Sequence, residues 1–291
     1  MDTDKCAALL RSIDLGSLAA AAEELGYTPS GISRMVASLE KEWGFPLLIR
    51  SKSGVRPTVD CERMLLALRN LAAAARVCGE QAAAVRGLET GSIVVGSAYR
   101  QYYNVLAGVI ADFIAEHPNI QVSVLHANSS TLKQMLDDRR IDLAIMSKRG
   151  DPARWTPLIN DPMMAVLPRT HELAGAKSYP VGRFAQDPFV EVYPDEESDN
   201  TVALAESGIK PNTRYSAFDA LAAFALVEAG LGVTITNGVY SRSADMDAVS
   251  LPLDPPYSVE IGIAAPDTQA ASPALAAFEA FALPRLASAK V

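Results

Sequence analysis

Two amphipathic helices separated by a turn of about three residues constrain this chain more than any other feature. Leu18, Ala21, Ala22 and Leu25 fall at i, i+3, i+4 and i+7. Ile32, Val36, Leu39 and Trp43 fall at i, i+4, i+7 and i+11. Both are the spacing of a buried helical face. Ser17 stands where the first helix needs an N-cap and Gly26 where it needs a stop. Thr28 caps the second, Pro29 takes its first position, where a missing N–H is harmless, and Gly44 ends it. Ala21 and Ala22 leave room for a close crossing. Yet the second helix opens on Ser30, Gly31 and Ser33, poor helix formers, with Gly costing about 1 kcal/mol against Ala. An earlier helix, "KCAALLRSI", precedes the pair, and "LLIR", "SKSG" and "VRP" read as strand, turn and strand after it. The pattern is that of a winged helix-turn-helix; by spacing alone a plain three-helix bundle fits equally well.

Residues 58–88 read as one long helix. Met64, Leu68, Leu71, Ala75, Cys78, Ala82 and Val85 step alternately by four and three, a coiled-coil seam. Some 28 residues would span roughly 42 Å. The expected role is dimerisation and spacing, with Cys78 a packing residue. Beyond residue 90 strand and helix patterns alternate. "SIVVGS", "IQVSVLH" and "IDLAIMS" are strands, with "VLAGVIADFIAEHP" and "TLKQMLDDRR" as helices between them. A second run follows: "MMAVLP", "PFVEVY", a helix near 200–207, "TRYS", a helix at 218–229 and "GVTITN". "YSVEIGIAAP" and a last helix near 273–287 close the chain. Repeated βαβ units imply a parallel sheet. The expected fold class is α/β with an α-rich N-terminal domain. Its divisions are 1–58, a linker helix 59–89, and a two-lobed region 90–291, with lobe I at 90–161 and 266–291 and lobe II at 162–265.

Composition narrows the function. At 291 residues, 49% hydrophobic and 21% charged, the chain has material for two or three cores. No apolar run reaches the ~20 residues of a membrane span. The first residues carry acids and no basic n-region, so no secretory signal is expected and the expected location is the cytoplasm. Three cysteines, odd in number and without metal spacing, fit reduced thiols. The net charge of −8 resides in residues 91–291. Arg34, Lys41, Arg50, Lys52 and Arg56 outnumber Glu40 and Glu42 within 28–58, which permits a phosphate-contacting patch. There is no GxSxG, Walker loop or HExxH, and the three histidines are scattered, so no catalytic residue, metal or cofactor is expected.

In parallel α/β sheets ligands sit off the carboxyl ends of strands, at helix N-termini. Here those turns are "GSAYRQYYN", "HANSS", "MSKR", "EVYPDEESDN", "SAFD" and "ITNG". They nominate a small-molecule cleft between the lobes. Tyr99, Arg100, Tyr102 and Tyr103 point to an aromatic or carboxylate ligand.

Residues 16–58 resemble the helix-turn-helix signature of the LysR-type transcriptional regulators. The matching points are Gly16-Ser17, Ala21-Ala22, Leu25, Ser33, Leu39-Glu40, Gly44, Leu47, Arg50 and Thr58. The long helix and two lobes extend the resemblance over nearly the whole chain. Two positions depart from it. Leu47-Leu48-Ile49-Arg50 stands for Leu-Phe-x-Arg in the wing, and Pro57-Thr58-Val59-Asp60-Cys61 lacks the Gly of Leu-Thr-x-x-Gly. The second departure is expected to alter how the wing meets the long helix. The resemblance implies a sequence-specific regulator of a double-stranded DNA operator, controlled by a small-molecule effector in a periplasmic-binding-protein-like domain. It implies dimers joined into a homotetramer, and RNA polymerase is carried as a further candidate partner. The DNA contacts implied are Ser17, Thr28, Pro29, Ser30, Ser33, Arg34, Arg50, Lys52 and Arg56. On this view the small residues opening the second helix are clearance for the DNA groove. By turn position, the effector contacts are Ser97, Tyr99, Arg100, Tyr102, Asn128, Ser129, Ser147, Tyr193, Phe218 and Thr236. Peroxide-sensing members use cysteines in this region; residues 91–291 have none, so thiol sensing of that kind is not expected. A solute-binding protein with a helical N-terminus and an enzyme on the α/β scaffold are the competing readings. The lack of an export signal and of an acid/base or nucleophile constellation speaks against them.

Overall fold

A computed structural model describes residues 2–267 and 271–289. The N-terminal part comprises α1 (Thr3–Asp14), α2 (Leu18–Leu25), α3 (Pro29–Trp43), β1 (Leu48–Ser51) and β2 (Gly54–Pro57). The caps fall where the sequence places them. Ser17 Oγ accepts from Ala20 N, and Gly26 and Gly44 close their helices with φ of +70° and +81°. Cys6, Leu9, Leu10, Val36, Leu39 and Leu47 form the core, and Ala22 and Ile32 lock α2 to α3 beside Ala8.

β1 and β2 form an antiparallel hairpin, the wing. Glu40 anchors it to α3 by accepting from Leu47 N at 2.8 Å and Leu48 N at 3.3 Å. The hairpin also presses on the turn between α1 and α2, where Val55 N donates to Gly16 O at 2.9 Å. That approach demands Gly54: its φ is +119°, and a Cβ there would lie 2.3 Å from Gly16 O.

The linker is α4 (Val59–Val85). Its heptad seam does not face one partner within the chain. Met64, Leu68 and Leu71 pack on the N-terminal core, while Cys78 and Val85 are exposed. Cys61, at the position where the family pattern has Gly, is fully buried in that core, and burial pushes its thiol up to about 11. Arg69 fixes α4 to α1 through a buried bidentate pair with Asp14, at 3.1 and 2.6 Å. Farther along, Arg76 donates to Asp142 at 2.6 Å, and Glu80 accepts from Ala274 N at 3.3 Å.

The α/β part comprises β3 (Gly91–Ser97), α5 (Tyr103–Glu116), β4 (Ile120–His126), α6 (Ser129–Asp137), β5 (Leu143–Ser147), β6 (Arg154–Pro168), β7 (Tyr179–Pro180), β8 (Phe189–Val192), α7 (Asp199–Glu206), β9 (Thr213–Ala217), α8 (Ala220–Glu228), β10 (Thr234–Asn237), α9 (Gly238–Ser243), β11 (Ala248–Asp254), β12 (Ser258–Ala265) and α10 (Pro273–Ser288). One sheet runs β4-β3-β5-β12-β6-β11-β7, with β10 also paired to β6, and β8 and β9 form a separate parallel pair. β3, β4 and β5 are parallel, as βαβ units require.

Three details differ from the sequence expectation. β12 falls within the bounds expected for lobe II, but as the final strand it returns to lie antiparallel between β5 and β6, because Ile261 and Ile263 complete that core. β6 runs unbroken across residues 161 and 162, so the change of lobe occurs within a strand. β11 went unread, its alternation interrupted by Pro252. Among the described residues no helix is long and apolar enough to cross a membrane.

Candidate functional sites

The first site is the exposed surface of α3 and the wing. Thr28 Oγ1 accepts from Gly31 N at 3.1 Å and lies 3.2 Å from Ser30 Oγ. A Cβ on Gly31 would stand 3.1 Å from that same Thr28 oxygen, so Gly31 also keeps room for the cap. Arg34 is exposed, its Nε donating to Ser30 O at 3.4 Å. Arg50 on β1 reaches α3 and donates to Ser33 Oγ at 2.9 Å. Wing and helix thereby form one surface, to which Lys52 and Arg56 add exposed cations. Ser17 is engaged as the α2 cap and Pro29 occupies the first turn of α3.

The second site is a cavity of about 210 Å³ where the carboxyl ends of β3, β4 and β10 meet the turns after β8 and before α6 and α7. Of the residues nominated from sequence, it brings together Tyr99, Asn128, Ser129, Tyr193 and Thr236. Ser97 and Ser147 are buried just behind: Ser97 Oγ donates to Tyr99 O, and Ser147 N donates to Ser129 Oγ. The rest lie elsewhere. Tyr102 is 2% exposed within the hydrophobic core, because the short 3-10 turn at 100–102 rotates it inward. Arg100 pairs with Asp219 at 3.7 Å outside the cavity lining, and Phe218 is 73% exposed.

Asp199, which the sequence reading did not single out, organises the cavity. Tyr99 Oη donates to it at 2.6 Å, Asn237 Nδ2 at 2.9 Å and Arg149 at 2.6 Å, and Ser147 Oγ donates as well. Burial, with the Asp199 carboxylate next to it, holds the Tyr99 phenol well above its ordinary titration range, so it remains a donor. Two more acids bridge the cleft. Glu196 accepts from Asn128 Nδ2 at 2.7 Å, and Glu197 accepts from Ser130 Oγ at 3.0 Å. The turn that carries them holds Tyr193 and Asp195 at φ of +55° and +66°, a conformation non-glycine residues seldom adopt. Tyr240 Oη donates to Ala98 O at 3.1 Å, and His126 Nδ1 lies 2.9 Å from Ser97 O. A carbonyl only accepts, so His126 Nδ1 carries a proton. Glu196, Asp199, Asn237 and His126 all sit in turns legible as strand ends. What the sequence lacked was which member of each turn faces inward.

Residues 4–62 match the family model described as a bacterial regulatory helix-turn-helix protein of the lysR family. Residues 86–287 match the LysR substrate binding domain. The chain belongs to the LysR family. It is a LysR-type DNA-binding transcriptional regulator with an effector-binding domain. Among its relatives is the HTH-type transcriptional regulator ShiR of Corynebacterium glutamicum (strain R), 30% identical over 248 residues, covering 83% of this chain and 84% of ShiR. The HTH-type regulator YvbU of Bacillus subtilis (strain 168) is 22% identical over 262 residues, covering 89% and 90%. Full-length OxyR C199D from Pseudomonas aeruginosa shares the fold at a TM-score of 0.72 and 19% identity, covering 100% of this chain and 99% of that one.

Proposed function

We propose that this LysR-type regulator binds an operator through α3 and the wing, and that a small molecule in the Tyr99–Asp199 cavity sets its affinity. The observation that carries the DNA half is the Arg50–Ser33 bond, which joins the wing to the outer face of α3. On this reading α3 enters the major groove. Thr28, Pro29, Ser30 and Ser33 approach base edges and backbone, Arg34 provides the long reach, Arg50, Lys52 and Arg56 meet phosphates, and Ser17 supports the first turn of α2. The cavity half rests on the spanning bonds. Tyr99, Ser147 and Arg149 hold Asp199 across the cleft, so a ligand that alters those bonds alters how the two lobes sit.

Pairing of two chains along α4 would cover Cys78 and Val85 and place two α3 helices for two half-sites; a pair of such dimers gives the tetramer. A DNA-bound role places the protein in the cytoplasm.

The test is the salt dependence of binding to a duplex selected by the wild-type protein from a random pool. Lys52→Ala should weaken binding to all sequences alike and reduce the salt slope by about one. An unchanged slope would remove Lys52 from the interface.

A further inference from the structure

The cavity has a polarity that the family reading does not supply. Among the described residues that line it, none is Lys or Arg, while Glu196 and Asp199 are acids. The Arg149 guanidinium is committed to Asp199 at 2.6 Å and is nearly buried, and Arg100, close enough to act on the Tyr193 and Tyr240 phenols, pairs with Asp219 at 3.7 Å. Several side-chain donors are already committed. Tyr99 and Asn237 donate to Asp199, Asn128 to Glu196, and Tyr240 to Ala98 O. What remains for a ligand is acceptor capacity, aromatic surface and the neutral hydroxyls of Ser129, Tyr193 and Thr236. Each Asp199 oxygen already receives two donors. Glu196 uses only Oε2, toward Asn128. Phe224, Tyr193 and Tyr240 supply ring faces.

A carboxylate entering this site would meet the Glu196 carboxylate with no Lys or Arg in the lining to offset it, and like charges at close range cost energy in a partly dry site. An ammonium group would find a counterion in Glu196 and aromatic faces that attract cations. A cavity of about 210 Å³ suits one ring, since ~150 Å³ accommodates benzene.

We propose that the effector is a single-ring aromatic amine, bound as its ammonium form with Glu196 as counterion and its ring among Phe224, Tyr193 and Tyr240. This rests on the reading of the cavity as the effector site. Of the residues that pointed to an aromatic or carboxylate ligand, Tyr99 lines the cavity, while Arg100 pairs with Asp219 outside the lining.

The test titrates the full-length protein by calorimetry with phenethylamine and tyramine, with phenylacetate and phenylpropionate as matched acids, and with phenethyl alcohol as the neutral analogue. The same titrations use Glu196→Gln, an exposed position that leaves the fold intact, and Ala220→Trp, which fills the cavity. An amine should bind wild type more tightly than its acid and alcohol counterparts. Glu196→Gln should weaken it by about tenfold or more, and Ala220→Trp should abolish it. Tighter binding of an acid, lost in Ala220→Trp, would overturn the amine assignment and leave the cavity reading standing; Glu196 would then be a displaceable stand-in for the ligand's carboxylate. Amine binding that survives Ala220→Trp would overturn the cavity reading itself. No binding by either amine would overturn the proposal.

Discussion

Arg50 on the wing donates to Ser33 on α3 at 2.9 Å, an exposed bond that adds to the part-buried anchor of the wing on Glu40. Arg50→Ala should leave thermal stability within about 1 kcal/mol, as an exposed bond contributes little. It should weaken binding to the selected duplex by about 1–3 kcal/mol, since a contact is lost. Calorimetric unfolding and fluorescence anisotropy measure the two effects separately; equal loss in both would make Arg50 a folding residue.

Gly54 sets how the wing meets the helices. A Cβ there would stand 2.3 Å from Gly16 O, and the φ of +119° is unfavourable for any other residue. Gly54→Ala should destabilise the N-terminal domain by at least ~1–3 kcal/mol. Chemical denaturation followed by Trp43 fluorescence reads this, and a wild-type midpoint would show that the wing shifts freely.

Asp199 and Arg149 form a nearly buried pair across the cleft. Removing one charge strands the other, so Asp199→Asn should cost on the order of 3 kcal/mol. An apolar replacement of both residues should recover little of that loss, because Tyr99, Asn237 and Ser147 would then lack their shared acceptor. Urea unfolding of the single and double variants distinguishes a structural pair from a dispensable one.

Several phenols resist ionisation in the folded chain. Burial pushes Tyr102 and Tyr240 up to about 12. An unfolded phenol titrates near 10. The folded protein therefore holds these protons more tightly, and the stability they contribute is complete below about pH 10 and is lost as pH rises toward 12. The unfolding midpoint should fall steeply in that window, and Tyr240→Phe should flatten the fall. An identical profile in the variant would remove Tyr240 from the linkage.

Much of this was legible in local sequence. Ser17, Gly26, Thr28 and Gly44 declare helix ends through chemistry that acts within four residues. Strands β3 to β5 declare themselves by apolar runs between amphipathic helices. The strand-end turns were legible as turns. Their inward members were not: Tyr99 and Tyr102 sit on one short segment, but one reaches Asp199 and the other enters the core. Asp199 gains its role from Tyr99 and Ser147, distant in sequence, and β12 takes its place between β5 and β6 through partners no local pattern names. Met64, Leu68 and Leu71 of the α4 seam pack on the N-terminal core, and a heptad alone does not say which of its residues face the same chain.

Cys78 reports on that seam. Cys6 and Cys61 are fully buried, and Cys78 is exposed in the single chain. Alkylation should spare the first two, and labelling of Cys78 should slow as protein concentration rises and α4 pairs. Labelling independent of concentration would place the dimer contact elsewhere.

The most direct test of the account is the affinity of Arg34→Ala for the selected duplex, measured by anisotropy at fixed salt with the oligomeric state checked by sedimentation. Arg34 is exposed on α3 and has no role in the core. The expected result is an intact oligomer with binding weakened by about 1–3 kcal/mol. An intact oligomer with wild-type affinity would contradict the placement of α3 in the groove.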